Sequence, residues 1–370
     1  MHAGNDAESV STALVARIGA AIDSAGGWLP FSAFMAMALY EPGMGYYASG
    51  RLVVGRMPEG GSDFVTAPEL SPLFARALAR QVEEALAATG SDQVFEFGAG
   101  SGALAAELLA ALGPRIGRYS IVELSAPLQE RQRAATGAFA GAVRSLDALP
   151  ERMKGVVIGN EVLDAMPVDL LHFDGTDWFE RGVARGDGGE RALVFSDRPT
   201  LLRPPNAAAF PAGTTTETHA QGEAFVATLA ERVQRGAAFF IDYGFPESEY
   251  YHPQRHMGTV MCHRGHLVDP DPLESPGEKD ITAHVDFTGI AVAAQEAGLA
   301  TLGYTSQGRF LINCGIVERM ADASLPERTA AQRLVAEHEM GELFKAIAFA
   351  KGLGGYAPLG FVDGDRRHRL

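Results

Sequence analysis

The sequence predicts an α/β protein built on a doubly wound, mostly parallel sheet, with an N-terminal helical segment and an inserted β meander. Three observations predict it. From residue 93 onward short β-branched runs alternate with helical stretches, the pattern of βαβ units. A glycine-rich turn, Gly98-Ala99-Gly100-Ser101-Gly102, joins the first of those runs to a helix. Residues 9–90 carry helical periodicity and no strand alternation.

The N-terminal segment reads as follows. Val10, Leu14, Ile18 and Ile22 recur at fourfold spacing until Gly26-Gly27 stops them. Ser32 reads as the cap of a short helix that ends before Pro42-Gly43. Ser71-Pro72 supplies an N-cap and an N1 proline, and the helix behind it aligns Leu73, Phe74, Leu78, Val82 and Leu86 until Gly90. A glycine-rich loop from Gly60 to Glu69 precedes that helix.

Parallel strands are then expected at Gln93–Phe97, Tyr119–Val122, Ala142–Arg144, Gly155–Ile158 and Ala238–Ile241. The rhythm breaks between 160 and 218. There Val168–Phe173, Trp178–Val183 and Ala192–Phe195, punctuated by Asp174-Gly175 and Gly188-Gly189, predict the meander. A stretch rich in Pro, His and Asp, 245–285, reads as a second, irregular insert. Residues 299–304 and 309–317 read as two final strands, and the tail from Pro326 as helix to about residue 351. The expected division is 1–90, helical with a lid loop; 91–317, the sheet domain with inserts at about 168–215 and 245–285; and 318–370, a helical tail.

Composition narrows the partners. A net charge of −15 repels phosphate backbones and anionic membranes, so nucleic acid and membrane are not expected and a cationic protein or peptide is. A homodimer is an admissible assembly. Cys262 and Cys314 form neither a CxxC pair nor a disulfide framework and read as buried thiols in a reducing compartment. With no secretory leader and no run of eighteen apolar residues, the expected location is cytoplasmic. Five histidines fall between His252 and His284, but their spacing suits no zinc site, and no metal is expected.

The glycine turn needs glycines because the chain must reverse sharply and let a ligand approach the backbone. A dinucleotide site would use Gly98, Gly100 and Ala103, with Glu123 as the acidic partner. Two details favour S-adenosyl-L-methionine. The glycines 98, 100 and 102 alternate, and Glu96, two residues upstream, would repel a pyrophosphate but suits a sulfonium and an ammonium group. Glu123, ending the second strand, can accept both ribose hydroxyls, and Asp147, after the third, the adenine amino group. Ala99, Leu124 and Asn160 complete the expected cofactor shell.

Methyl transfer from a sulfonium is an in-line displacement, so alignment and exclusion of water are the enzyme's task. Glu161 and Asp164 stand three apart after the fourth strand, at the carboxyl edge where such sheets bind ligands. One helical turn would place both carboxylates on one side, and they are the first catalytic candidates. On the lid loop Asp63 is a further catalytic candidate, and Thr66, Pro68 and Glu69 are candidate cofactor contacts. Asp242, ending the fifth strand, is a candidate substrate contact.

Several unlinked motifs resemble the MidA-like family of methyltransferases. They are Tyr40-Glu41-Pro42-Gly43-Met44-Gly45-Tyr46-Tyr47, Ser62 to Glu69, the glycine turn, Val122-Glu123-Leu124-Ser125, Asn160 to Val168, Ile241-Asp242-Tyr243-Gly244, Asp280 to Phe287, and Gln307 to Gly315. The resemblance covers most of the chain and implies a class I methyltransferase core with an added helical segment. It also implies a protein substrate, an arginine on a respiratory-complex subunit as in the mitochondrial members. A guanidinium is a poor nucleophile, with a pKa above about 12, so carboxylates must grip it and take its proton. The sequence departs from the family at Ser62, where members carry Gly, and in a longer Val53–Gly61 stretch containing Pro58. A non-catalytic assembly factor that clasps a partner is the alternative, and the intact glycine turn and Glu123 favour the enzyme.

Overall fold

The computed structural model describes residues 3–50, 65–187, 192–264 and 267–370. Its central sheet holds β1 (Gln93–Phe97), β2 (Arg118–Val122), β3 (Val143–Leu146), β4 (Met153–Asn160), β5 (Val233–Phe245), β6 (Ala300–Ser306) and β7 (Phe344–Lys351), in the order 3-2-1-4-5-7-6. Strands β1 to β5 are parallel, and β7 runs antiparallel to both its neighbours. The chain winds outward from β1 to β3, then returns to β4 on the other side of β1. The crevice outside the carboxyl ends of β1 and β4 is therefore the switch point at which such sheets take ligands.

Strands β1 and β4 are buried along most of their length because both faces are covered. Helices Pro72–Thr89 and Ala103–Leu112 lay Leu78, Val82, Leu104 and Leu108 over Val94, Val156 and Ile158. Helices Ala220–Arg232 and Phe287–Glu296 cover Phe95, Val157 and Phe240 with Val226, Leu229 and Ile290. The Ser71 cap forms, its Oγ accepting the Leu73 N–H at 3.3 Å, and Gly90 ends that helix at φ 60°.

The first two helices, Ala3–Ser24 and Phe31–Tyr40, pack elsewhere. Leu14, Ile18, Phe34 and Met35 share a separate core with Leu170, Val183 and Ile281 from the two inserts. The first insert contains the meander Asp169–Phe173, Trp178–Arg185 and Leu193–Pro199. Two strands join it that periodicity did not predict, Thr214–Thr218 and Leu29–Pro30. The Gly188-Gly189 turn lies outside the described residues. Ser32 is not a cap: its helix starts behind Pro30 with no side-chain cap, and Ser32 Oγ donates to the Asp169 carboxylate. The second insert, read as irregular, holds a three-stranded sheet of Leu267–Asp269, Met261–Arg264 and Asp280–Thr282.

Two expectations near the C-terminus are corrected. Residues 309–317 are helical, in Gln307–Asn313 and Ile316–Ala321, because Ser306 caps the first and Phe310, Leu311 and Cys314 bury one helical side. The tail is helical over Leu325–Val335 and then supplies β7. Its Ala346, Ile347, Ala348 and Phe349, of mixed propensity, lie between β5 and β6 with no face left to solvent. Tertiary burial decides for the strand here. Among the described residues no helix is long and apolar enough to cross a membrane, and no group of three His, Cys, Asp or Glu side chains is arranged to hold a metal.

Because β7 joins β6 to the rest of the sheet, its core side chains carry much of the fold's stability. Ile347→Ala should cost about 2–5 kcal/mol in urea unfolding, the scale for truncating a buried aliphatic residue. A loss below about 1 kcal/mol would mean that β7 is dispensable.

Candidate active site

At the end of β1 the backbone of Gly98, Gly100 and Gly102 turns through φ values of 61°, 52° and 87°. These are left-handed conformations that favour glycine. A Cβ at 98 would come within 2.9 Å of Val162 Cγ2, and one at 102 within 3.0 Å of Gln132 Cα. The turn delivers the chain to helix Ala103–Leu112, and Ala99 packs into the core beneath it. Gln132 Nε2 donates to the Gly100 carbonyl at 3.1 Å and to Glu123 Oε2 at 3.2 Å. Glu123 Oε1 accepts the Ser125 N–H at 2.8 Å. Burial pushes the Glu123 pKa up, against these donors. Leu124, 75% exposed, offers apolar surface beside it, and Asp147 is exposed just past β3.

Glu96 departs from its expected role. Its carboxylate is 2% exposed and accepts the Tyr119 hydroxyl at 2.6 Å inside the sheet. Burial raises its pKa to about 7, so it is not the fixed negative charge that the choice of cofactor assumed.

The segment before helix Pro72–Thr89 closes over this turn. Thr66 opens the short helix Ala67–Leu70, Pro68 lies in its first turn, and Glu69, buried, accepts the Ser101 hydroxyl. Ala67 N–H points to Glu161 Oε1 at 3.4 Å. Asp63 lies outside the described residues.

Beyond β4, Glu161 and Asp164 are brought together, but not by a helical turn. Residues 161–168 form bends and turns, and Glu161 takes φ 53°, rare for a residue with a side chain. The cause is Asp242 at the end of β5. Its Oδ2 accepts the N–H groups of Val162, Leu163 and Asp164 at 3.0, 2.8 and 3.3 Å, and its Oδ1 that of Tyr243 at 2.9 Å. Glu161 N–H donates to the Ile241 carbonyl at 2.9 Å. The loop thus curls around one carboxylate as an anion nest.

Glu161 Oε1 also accepts from Asn160 Nδ2 at 2.9 Å, while Asn160 Oδ1 is buried without a hydrogen-bond partner. Burial, with Asp164 beside it, raises the Glu161 pKa to about 8, and burial raises that of Asp164 to about 6 although the Tyr243 hydroxyl bonds to it. Asp242 is pushed up by burial and by both neighbours, with the backbone N–H donors opposing.

Four residues absent from the sequence candidates, Asp280, Tyr47, Tyr40 and Ser125, complete the site. Asp280 Oδ1 accepts the Tyr47 hydroxyl at 2.8 Å, and the Asp280 charge contributes to the Glu161 shift. Tyr40 stacks on Tyr47 at 5.7 Å and donates to the Ala165 carbonyl at 2.8 Å. Ser125 Oγ donates to the Tyr47 carbonyl at 2.7 Å, linking this wall to Glu123. Tyr47 and Asp280 lay inside quoted motifs without any spacing to single them out. Gln132 carried no signal at all.

A family model of S-adenosyl-L-methionine-dependent methyltransferases matches residues 77–305. The chain belongs to that methyltransferase family. The methyltransferase is also 30% identical over 95% of its length to the mitochondrial protein arginine methyltransferase NDUFAF7 homolog of Drosophila melanogaster, covering 88% of it. The Danio rerio protein arginine methyltransferase NDUFAF7, mitochondrial, is 28% identical over 84% of this chain and 81% of its own. A crystal structure from Burkholderia thailandensis bound to S-adenosyl-homocysteine is 53% identical, with a TM-score of 0.93 over 99% of this chain and 98% of that one. The cytoplasmic placement expected from the sequence is overturned by the curated relatives, which are mitochondrial by name.

The residues present fit the cofactor. The positive-φ glycines leave a bare backbone turn, Glu123 keeps acceptor capacity for hydroxyls, and Asn160 Oδ1 is an orphaned acceptor at the switch point. Gly98→Val should abolish S-adenosyl-homocysteine binding in calorimetric titration while the fold persists, because it opposes the φ and strikes Val162. Parental affinity in that variant would remove the glycine turn from the cofactor site.

Proposed function

We propose that this methyltransferase acts on an arginine side chain of a protein substrate. One observation carries the reading: Glu161, Asp164 and Asp280 gather in buried surroundings beside the glycine turn, ringed by Tyr40, Tyr47 and Tyr243. A buried group of carboxylates is unfavourable until a cation enters, and a planar guanidinium answers it with forked N–H donors. The curated relatives named protein arginine methyltransferases support the same substrate. The family resemblance extends the proposal to a respiratory-complex subunit.

When bound at the glycine turn, S-adenosyl-L-methionine supplies an electrophilic methyl carbon. The residues of the chain do the remaining work. Asp164, whose buried Oδ1 has no hydrogen-bond partner, and Asp280 hold the guanidinium and keep its charge on the nitrogens away from the reacting one. Glu161 accepts the proton that the reacting nitrogen loses as its bond to carbon forms. In the empty site burial and Asp164 raise the Glu161 pKa to about 8; the bound guanidinium lowers it and leaves the carboxylate ionised to take the proton. The segment 66–70 and the tyrosines exclude water from these groups.

The entering cation lowers the carboxyl pKa values, so binding expels protons and tightens as pH rises through the range from about 6 to about 8. Arginine methylation lost from the proteome of a deletion strain, read by mass spectrometry, identifies the substrate. On that substrate Glu161→Gln should lower turnover by about 10² to 10⁴, the contribution of a general base, with S-adenosyl-homocysteine affinity near the parent's. Near-parental turnover would remove Glu161 from the chemistry, and an unchanged arginine methylome would remove arginine.

A further inference from the structure

Asp280 belongs both to the candidate site and to the three-stranded sheet of the second insert. In that sheet Asp280 pairs with His263, and His263 pairs with Val268. Residues directly opposite in an antiparallel ladder share a face, and alternate residues along a strand share it too. Asp280, His263 and Val268 therefore form one row across the sheet, and Thr282 and Met261 form the start of the row beside it. The other face buries Cys262 and Ile281 in the N-terminal core and holds the Lys279–Asp269 ion pair.

Along the row burial falls steadily. Asp280 is 4% exposed, His263 is half-buried, and Val268 is 61% exposed, with Met261 at 40% on the same face. One strip thus starts among the carboxylates, passes an imidazole and ends in apolar side chains at the surface. Leu267–Asp269 is also the last strand of that sheet among the described residues, so its outer edge has no strand beside it.

We infer that this strip docks the segment flanking the target side chain, with an apolar residue of the substrate lying on Met261 and Val268 while the cation reaches Asp280. The inference rests on the arginine reading above. Charge complementarity selects this occupant: the strip's inner end is a carboxylate group that a cation relieves, and a second copy of a chain with net charge −15 brings the opposite sign. Apolar contact at the outer end adds affinity without competing for the carboxylates. The strip then sets sequence preference next to the methylated residue, while the carboxylates set the residue type.

The test uses the full chain loaded with S-adenosyl-homocysteine and fluorescence anisotropy with three short labelled peptides. One has a central arginine flanked by leucine and valine, one the same arginine flanked by serines, and one citrulline in place of arginine between the apolar flanks. The parent should bind the first about ten-fold or more tighter than the second, the scale for burying one aliphatic side chain. Met261→Ser combined with Val268→Ser should bring that ratio to about one, with S-adenosyl-homocysteine affinity unchanged, because both side chains are exposed and outside the carboxylate group. A parent indifferent to the flanks, or a ratio that survives both substitutions, overturns the strip. Equal binding of the arginine and citrulline peptides with the flank ratio retained overturns the arginine reading instead.

Discussion

The carboxylate of Asp242 is the point from which the rest of the site is built. It ends β5 facing the loop that leaves β4, and it accepts three consecutive N–H groups from Val162, Leu163 and Asp164. Those donors stand at the carboxyl edge of a buried strand, where leaving them unpaired costs about 1–3 kcal/mol each. Holding Glu161 at φ 53° costs on the order of 1–3 kcal/mol. Three hydrogen bonds to that one carboxyl, each about 0.5–1.5 kcal/mol net, offset that strain, so the loop stays curled. The curl, and no helix, brings Glu161 and Asp164 together around Asp242. It also brings Val162 against Gly98, which ties this loop to the glycine turn through van der Waals contact.

A second consequence is electrostatic. Gathering Asp242, Glu161, Asp164 and Asp280 adds mutual repulsion to burial and pushes the Glu161 and Asp242 pKa values further up. Such an arrangement is unfavourable in the empty protein and is relieved by a cation, as the proposed substrate requires. One hydrogen-bond chain joins the two halves of the site. It runs from Asp280 through the Tyr47 hydroxyl and carbonyl, Ser125, Glu123 and Gln132 to the Gly100 carbonyl. The Tyr40–Tyr47 segment is thus a structural bridge between Glu123 and Asp280.

Much of this was legible in the sequence wherever a local rule governs. The alternating glycines, the five parallel strands and the Ser71 cap each follow from backbone chemistry that few residue types satisfy. The nearness of Glu161 and Asp164 was legible from spacing, yet its mechanism was misread, because a nest made by a carboxylate 78 residues further on leaves no local trace. Strand β7 was hidden for the same reason: Ala-Ile-Ala-Phe is of mixed propensity, and its place between β5 and β6 makes it a strand. Glu96 shows the converse error, since a motif position identifies a carboxylate without telling whether Tyr119 has already engaged it. Gln132 and Asp280 act through partners distant in the chain, and no periodicity records them.

Amide hydrogen exchange across residues 160–168, compared between the parent and Asp242→Ala, tests most directly whether that carboxyl holds the loop. If Asp242 holds the loop, the Val162, Leu163 and Asp164 amides should be protected in the parent and exchange at near-loop rates in the variant. Protection across β1 should persist, because its partners β2 and β4 are untouched. Unchanged protection at those three amides, with Asp242 removed, would contradict the claim that this carboxylate shapes the site.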